Sequence, residues 1–550
     1  MASRITRSKA KAMIADGIID AELKLVSPDP NHQATHPSPT TTETPTLNSQ
    51  SRQPFILFLP VEMIQKICIA ISDRTLGEDG CPLPCWDPAI TADSLRQDKT
   101  ALANFSATCR TIHEITLPFL YRHITSFQSP IQGAKMYDFT RSLIENPTLG
   151  PLVRSLNLRG INPWPRIAVD PSSLTDTQTE LVTTLARRFT GHETVSDFLK
   201  MKESFMRSAP PAAWWSAHAF STCLLLCLTP NITTISIVAR DVWDSSFLAA
   251  SKPNSRRLQP KVVFEKLTAL MLETEKVELS CIAGLVAASP NLKTLTFYGA
   301  WRFKSNTPVM KFSNLTNLML GDCKLGRHGI KHVLRYCTQL VTFSYEQVNC
   351  QHMMHLGLGR FMWQSPAWIL ECLEASANTL ETIEIKFHAG YDETVCEISP
   401  EQVDGKLLQS VTGFPALKNL ILSQAVIGRD SEEVLVDLIK DSPCLQRLEI
   451  HDIGLSFSIY DMDQLVTAAS NSIFPSLRTI KLESTFPESD LEMEMVADID
   501  DWYPDLALIS GGQTEEALSS VGIELIINYE IPWHCISPPS NWSGYTGWSE

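Results

Sequence analysis

Along most of the chain, hydrophobic residues follow one short recurring phrase. The phrase is Leu-x-x-Leu-x-Leu, with Ile or Phe allowed at the Leu positions, and from residue 232 on successive copies end 23 to 40 residues apart. Within a copy the apolar residues alternate with polar ones, as in a short strand with one buried face. Ten copies occur, the first of them well before the rest. They span residues 153–158, 232–237, 267–272, 292–297, 315–320, 340–345, 380–385, 417–422, 445–450 and 477–482.

Amphipathic helical stretches precede several of these phrases and end in a Ser-Pro, Phe-Pro or Cys-Thr corner. They are at residues 281–292, 328–340, 431–445 and 462–477. One strand and one helix cannot bury their apolar sides alone, so neighbouring repeats must stack. We therefore predict an α/β fold, a leucine-rich-repeat solenoid over residues 126–530 with parallel strands inside and helices outside. A helical insertion is expected at about 170–229.

A different periodicity precedes the repeats. Between residues 58 and 71 apolar residues form a helical stripe, with Pro60 placed for a first helical turn. Helical periodicity returns over 101–125, after a polar stretch. These patterns predict a small all-α module at 54–125 with a loop insertion at about 72–98. Residues 1–53, rich in Pro, Thr and Ser, are expected to be a disordered leader, and residues 531–550 a C-terminal tail.

The module resembles the F-box as it occurs in fungal-type F-box/leucine-rich-repeat proteins. Two departures from that pattern are the long interruption and Ile112, which stands where a tryptophan often follows Cys-Arg. The repeats cover most of the remaining chain. The matching residues are Leu59, Pro60, Glu62, Ile64, Ile67, Leu102, Thr108, Cys109, Arg110 and residues 117–123.

The resemblance implies a non-catalytic substrate-recognition subunit of an SCF-type E3 ubiquitin ligase complex. The F-box would dock the Skp adaptor and, through it, the cullin–RING ligase, while the repeats bind a protein substrate. A module of about 45 residues is also too small to secure its own core, which favours an interface role for its apolar stripe. The alternative is that this stripe caps the end of the repeat array. The implied adaptor-binding residues are Leu59, Pro60, Glu62, Met63, Ile64, Ile67, Leu102 and Cys109.

Residues between the strand leucines are expected on an exposed concave sheet face. Their mixed charge with a few aromatics suits a protein ligand, although an ordinary solvated face has the same composition. The candidate substrate-binding residues are Tyr298, Trp301, Arg302, Glu346, Glu384, Lys386, Arg447, Glu449 and His451, with Lys481 and Glu483 in the last repeat.

Charge and composition narrow the partners. The net charge is −15, but residues 482–550 hold fourteen acids and no Lys or Arg, so 46 basic and 47 acidic residues remain elsewhere. Such a chain lacks a basic face for nucleic acid, and no run of 18 apolar residues predicts a membrane span. Without a secretory signal, we expect a cytoplasmic and/or nuclear protein whose fourteen cysteines are reduced core thiols.

The segment from Cys323 to His355 is rich in cysteine and histidine, the residue types that bind transition metals. His328 and His332 are four apart on a predicted helix, a spacing that can serve one metal ion. Cys323, however, follows a strand where leucine-rich repeats use Asn or Cys to bond the turn backbone. Cys337 lies at a repeat corner. We therefore predict no metal, no cofactor and no catalytic residue, with a ligase-independent protein-interaction scaffold as the second hypothesis and a metal or thiol enzyme as the third.

Overall fold

The structure is a computed structural model. Several predictions lie outside the described residues: the leader, most of both insertions, the tail, Trp301 and Arg302. The structure describes residues 59–72, 92–126, 139–140, 142–158, 225–239, 249–251, 258–260, 263–274, 279–299, 310–321, 323, 325–348, 363–388, 403–404, 408, 410–427, 434–451, 459–485 and 513–530.

The chain divides into two compact units. The first comprises Met1–Arg188 and Lys200–Ile235, and the second Phe189–Leu199 and Ser236–Glu550. The first contains α1 (Val61–Ser72), α2 (Ala92–Ser106), α3 (Arg110–Arg122), β1 (His123–Ser126), β2 (Ser155–Leu158) and the start of β3 (Thr234–Ala239).

The second unit alternates strands with short helices. Its elements are β4 (Ala249–Ser251), β5 (Leu258–Pro260), β6 (Ala269–Thr274), α4 (Ala283–Ala287), β7 (Thr294–Tyr298), β8 (Asn317–Gly321), α5 (Gly326–Leu334), β9 (Thr342–Val348), β10 (Trp363–Gln364), α6 (Pro366–Cys372), β11 (Thr382–His388), β12 (Val403–Asp404), β13 (Asn419–Ser423), α7 (Gln424–Ile427), α8 (Val434–Ile439), β14 (Arg447–His451), α9 (Ile459–Ser470), β15 (Thr479–Thr485), α10 (Gln513–Ser520) and β16 (Glu524–Glu530).

The three helices α1, α2 and α3 share a small apolar core. Ile64, Cys68 and Leu102 are at its centre, with exposed fractions of 3% or less. Partly buried hydrophobic residues from all three helices, including Phe105 and Phe119, pack around them. A core this small leaves much of the apolar surface of the helices outside it, which bears on the site described below.

The boundaries of this helical module differ from the sequence prediction in three places. Residues 92–98, predicted as loop, form the start of α2. The stretch of helical periodicity over 101–125 is divided before Arg110, because Cys109 has extended backbone and its sulfur accepts a hydrogen bond from the Ile112 amide at 3.5 Å. Finally, His123–Ser126 is a strand that pairs with β2, so it belongs to the sheet.

The predicted parallel sheet is confirmed. Twelve strands follow one another in the order β1-β2-β3-β6-β7-β8-β9-β11-β13-β14-β15-β16, and every pair in it whose register is described is parallel. All ten predicted phrases contribute a strand to it. The first and last strands, β1 and β16, were not among the phrases.

Backbone hydrogen bonds keep successive repeats in one register. The amide of Thr316 donates to the Lys293 carbonyl at 2.8 Å, and the Val341 amide donates to the Thr316 carbonyl at 2.7 Å. Equivalent bonds continue to the last repeat, where Glu524 donates to Arg478 at 2.8 Å. Because the register is kept, equivalent positions of neighbouring phrases form rows, and the strand leucines stack into one buried layer.

Helices cover the buried side of this layer, and asparagines fasten several corners. α5 buries Ile330, Val333 and Leu334. At three corners an asparagine side-chain amide donates to a backbone carbonyl of the preceding repeat, which satisfies an acceptor that the turn leaves unpaired. These bonds join Asn231 to Pro151, Asn291 to Glu265 and Asn314 to Pro290, at 2.8 to 2.9 Å.

Within the described part of the chain, no helix has the length and apolar character needed to cross a membrane.

Candidate functional site

Helix α1 exposes an unusual share of apolar surface. Six large hydrophobic side chains are exposed in the described residues, and three of them are on this helix: Val61, Met63 and Ile69, at 47%, 45% and 41%. Pro60 is exposed directly before it, and Ile67 is half-buried. Positions three, four and seven apart share a helix face, so Pro60, Met63 and Ile67 form one apolar strip, the docking stripe.

The predicted adaptor-binding residues separate into two groups. Ile64 and Leu102 are 3% and 2% exposed, so they hold the helices together and offer no surface, contrary to the interface position expected for Ile64. Cys109 caps α3 and is half-buried. Leu59 packs partly on the core, while Glu62 is exposed beside the docking stripe. The sequence stripe therefore contained both a core side and a surface side.

On the sheet face of the second unit, residues between the buried leucines lie side by side across strands. Tyr298 is in register with Gly321, Gly321 with Glu346, and Glu346 with Lys386. A methyl group on Gly321 would meet the Tyr298 ring at 2.4 Å, so the ring covers the glycine closely. This part of the face begins with an aromatic and a small residue and continues into charged ones.

The other half of the face carries alternating charges, which we call the charge cluster. It comprises Glu384, Lys386, Arg447, Glu449, His451, Lys481 and Glu483. Lys386 Nζ lies 2.8 Å from Glu384, and Arg447 Nε lies 2.6 Å from Glu449. Opposite charges thus alternate on β11, β14 and β15.

Glu449 is at the centre of this cluster. Its side chain is 8% exposed, although the sequence pattern placed it on an open face. His451 Nε2 is 3.5 Å and Lys481 Nζ 3.7 Å from its Oε2. The neighbouring side chains on β14 and β15 cover the carboxylate and neutralise it, which is the physical reason for the difference.

The carboxyl groups of Glu449 and Glu384 both remain ionised. The pKa of Glu449 is lowered, first by its interaction with the His451 ring, against the effect of burial, and then by the charges of Arg447 and Lys481. Burial alone raises the pKa of Glu384, but the Lys386 ammonium and, to a smaller extent, its other neighbours outweigh it and lower the pKa. Glu384 and Glu449 are therefore ionised at neutral pH and paired with neighbouring cations.

The Cys/His segment has the structural role predicted for two of its members. Cys323 Sγ donates to the carbonyls of Gly321 at 3.4 Å and Phe297 at 3.6 Å, as a turn-bonding residue should. Cys337 Sγ donates to the Val333 carbonyl at 3.3 Å, and burial raises its thiol pKa. A thiol with a raised pKa, such as that of Cys337, is a poor nucleophile, because the thiolate is the reactive form.

Sequence reasoning missed a different group of side chains. Glu449, His451 and Glu483 lie with one ligand-capable atom each within 4.8 Å of one another, the single such group of three in the described residues. The phrase pattern places each of them on the sheet face but does not give the register between neighbouring strands. Setting the Glu-x-His of β14 in register with the Lys-x-Glu of β15 would have shown the convergence.

Comparison with models of known protein families and with curated proteins finds no match to this chain.

Proposed function

We propose that this chain is a non-catalytic substrate-recognition subunit of an SCF-type E3 ubiquitin ligase. The helical module, as an F-box, docks the Skp adaptor, and the repeat sheet binds a protein substrate. The observation that carries the proposal is the docking stripe: an apolar strip left exposed on a helix that already has a core of its own.

The burial of α1 supports an outward role for this stripe. If Met63 were there only to cap the repeat array, it would be covered, yet it is 45% exposed. Helix α3 can cap the array instead. The chain runs directly from Arg122, at the end of α3, into β1, and the Arg154 amide donates to the Arg122 carbonyl at 2.8 Å. An uncovered apolar strip on a small module favours a partner protein.

The sheet face supports the second half of the proposal. A rigid parallel sheet holds Tyr298, Glu346 and the charge cluster in fixed rows, and side chains presented from rigid strands lose little entropy on binding. The chain would then act by proximity: it raises the effective concentration of the bound substrate near the transferring enzyme and breaks no bond itself.

The test is reconstitution of the full chain with purified Skp adaptor, cullin and RING subunit. The wild-type chain should co-elute with all three, and the double substitution Met63→Glu with Ile67→Glu should lose them together. Co-elution with the adaptor but never with cullin would favour the ligase-independent scaffold. Failure of the wild-type chain to bind the adaptor would refute the proposal.

A further inference from the structure

The group formed by Glu449, His451 and Glu483 has the composition of a metal site. The three side chains come from β14 and β15, adjacent strands whose register is fixed by backbone hydrogen bonds. They are 8%, 12% and 16% exposed, so they lie below the surface of the sheet face. Two carboxylates and one imidazole are a ligand set that zinc accepts.

The three side chains are close enough together to share one ion. His451 Nδ1 is 3.4 Å from Glu483 Oε1, and His451 Nε2 is 3.5 Å from Glu449 Oε2. In a tetrahedral zinc site with bonds of ~2.1 Å, neighbouring ligand atoms are ~3.4 Å apart. These two distances start at different ring nitrogens, and only one of them can bind a given ion. With one ligand atom taken from each residue, the three atoms lie within 4.8 Å of one another, so small side-chain rotations bring them to the spacing of a zinc site.

One nitrogen of the imidazole makes no hydrogen bond of good geometry within the described residues. His451 Nε2 is buried and makes no hydrogen bond, although the carboxylate of Glu449 is close. A buried ring nitrogen without a hydrogen bond carries a free-energy cost that a metal–nitrogen bond would remove.

Lys481 marks the place where a cation lies between the two carboxylates. Its ammonium contacts Glu483 directly and is 3.7 Å from Glu449 Oε2. A lysine head on a flexible stem can turn out to solvent, so it can be displaced by a metal ion. Lys481 is then a competitor for the site, not a ligand.

We propose that Glu449, His451 and Glu483 form a binding site for one zinc-like transition-metal dication, with the Lys481 ammonium in its place when the ion is absent. The site does not depend on the ligase proposal. It adds a ligand to the sheet face, and the ion would fix the spacing of β14 and β15 side chains there.

The test is calorimetric titration of the chelator-treated full chain with zinc chloride, and with magnesium chloride as a comparison. One zinc ion per chain should bind, and magnesium should not, because imidazole is a poor magnesium ligand. Lys481→Met should tighten zinc binding by ~10-fold, the size of a typical coupling between competing ligands. Glu483→Gln and His451→Asn should each abolish it.

The matched control is His328→Ala. His328 is exposed on α5, four residues before His332, and this spacing could also hold a surface zinc ion. The proposal expects no change from this substitution. Absence of saturable zinc binding, unchanged or weaker binding in Lys481→Met, or loss of binding only in His328→Ala would each overturn it. Thermal melts of each metal-free variant establish that it is folded. Zinc binding must be lost in both Glu483→Gln and His451→Asn.

Discussion

Two adjacent residues of α1 should respond to truncation in opposite ways. Ile64 is 3% exposed and belongs to a small buried core with Cys68 and Leu102, whereas Met63 is 45% exposed. Replacing a buried isoleucine by alanine costs ~2–5 kcal/mol, and the cost is higher where the site cannot collapse. Ile64→Ala should therefore remove a large part of the stability of the helical module.

Hydrogen exchange on the full chain can measure this locally. At ~1.4 kcal/mol per factor of ten, a loss of ~2 kcal/mol should lower the amide protection of α1, α2 and α3 by ~30-fold or more in Ile64→Ala. Met63→Ala should change protection by no more than ~3-fold, because exposed substitutions stay within about 0.5 kcal/mol.

The comparison between the two variants decides the outcome. If Met63→Ala deprotects the helices as strongly as Ile64→Ala, then Met63 is a core residue and the docking stripe does not exist as described. Protection in the last repeats, around β14 and β15, serves as the internal reference, because repeat arrays couple mainly to nearest neighbours.

Three further outcomes follow from contacts in the structure. Gly150→Ala would place a methyl group 2.0 Å from the Leu228 carbonyl oxygen, so it should destabilise by ~1–3 kcal/mol in thermal unfolding, while Gly413→Ala, with nothing within 4 Å, should not destabilise. Asn314→Ala removes the bond to the Pro290 carbonyl and should cost about 1 kcal/mol, with no recovery in Asn314→Asp, which cannot donate. Because the pKa of Glu449 is lowered, its ionised form stabilises the fold above the ordinary value of 4.5 and this contribution is lost as the pH falls below it; urea midpoints of the wild-type chain and Glu449→Gln should therefore converge in acid and diverge toward neutral pH.

The repeat architecture could be predicted from the sequence because its signal is redundant. Ten phrases of one form each specify a strand, and each corner sequence before them specifies where a helix ends. β16 was not predicted because Glu524–Glu530 lacks the leading leucine of the phrase and is preceded by Gly522 and Ile523. β1 was not predicted because its four residues directly follow a helix, with no turn signal between them.

The candidate site was less predictable, because side-chain burial depends on neighbours that are distant in sequence. Periodicity placed Met63 and Ile64 on one stripe, but only the packing of Leu102 against Ile64 shows which of the two faces inward. Likewise, Glu449 is a face residue by pattern, and its burial comes from Lys481 on the next strand, 32 residues further on. Cys323 was predictable, since its hydrogen bonds stay within the turn and the adjacent strand.

The most direct test of the account is the affinity of the full chain for purified Skp adaptor, measured for the wild type, Met63→Glu and Ile473→Glu. Ile473 is 40% exposed and lies far along the chain, before β15, so it controls for the general effect of a charge on exposed apolar surface. The account predicts that Met63→Glu weakens adaptor binding by at least ~10-fold, since burying a charge against an apolar partner costs more than ~1.4 kcal/mol, and that Ile473→Glu leaves it within about 2-fold. Wild-type chain that does not bind the adaptor, or equal affinity of Met63→Glu and the wild type, would contradict it.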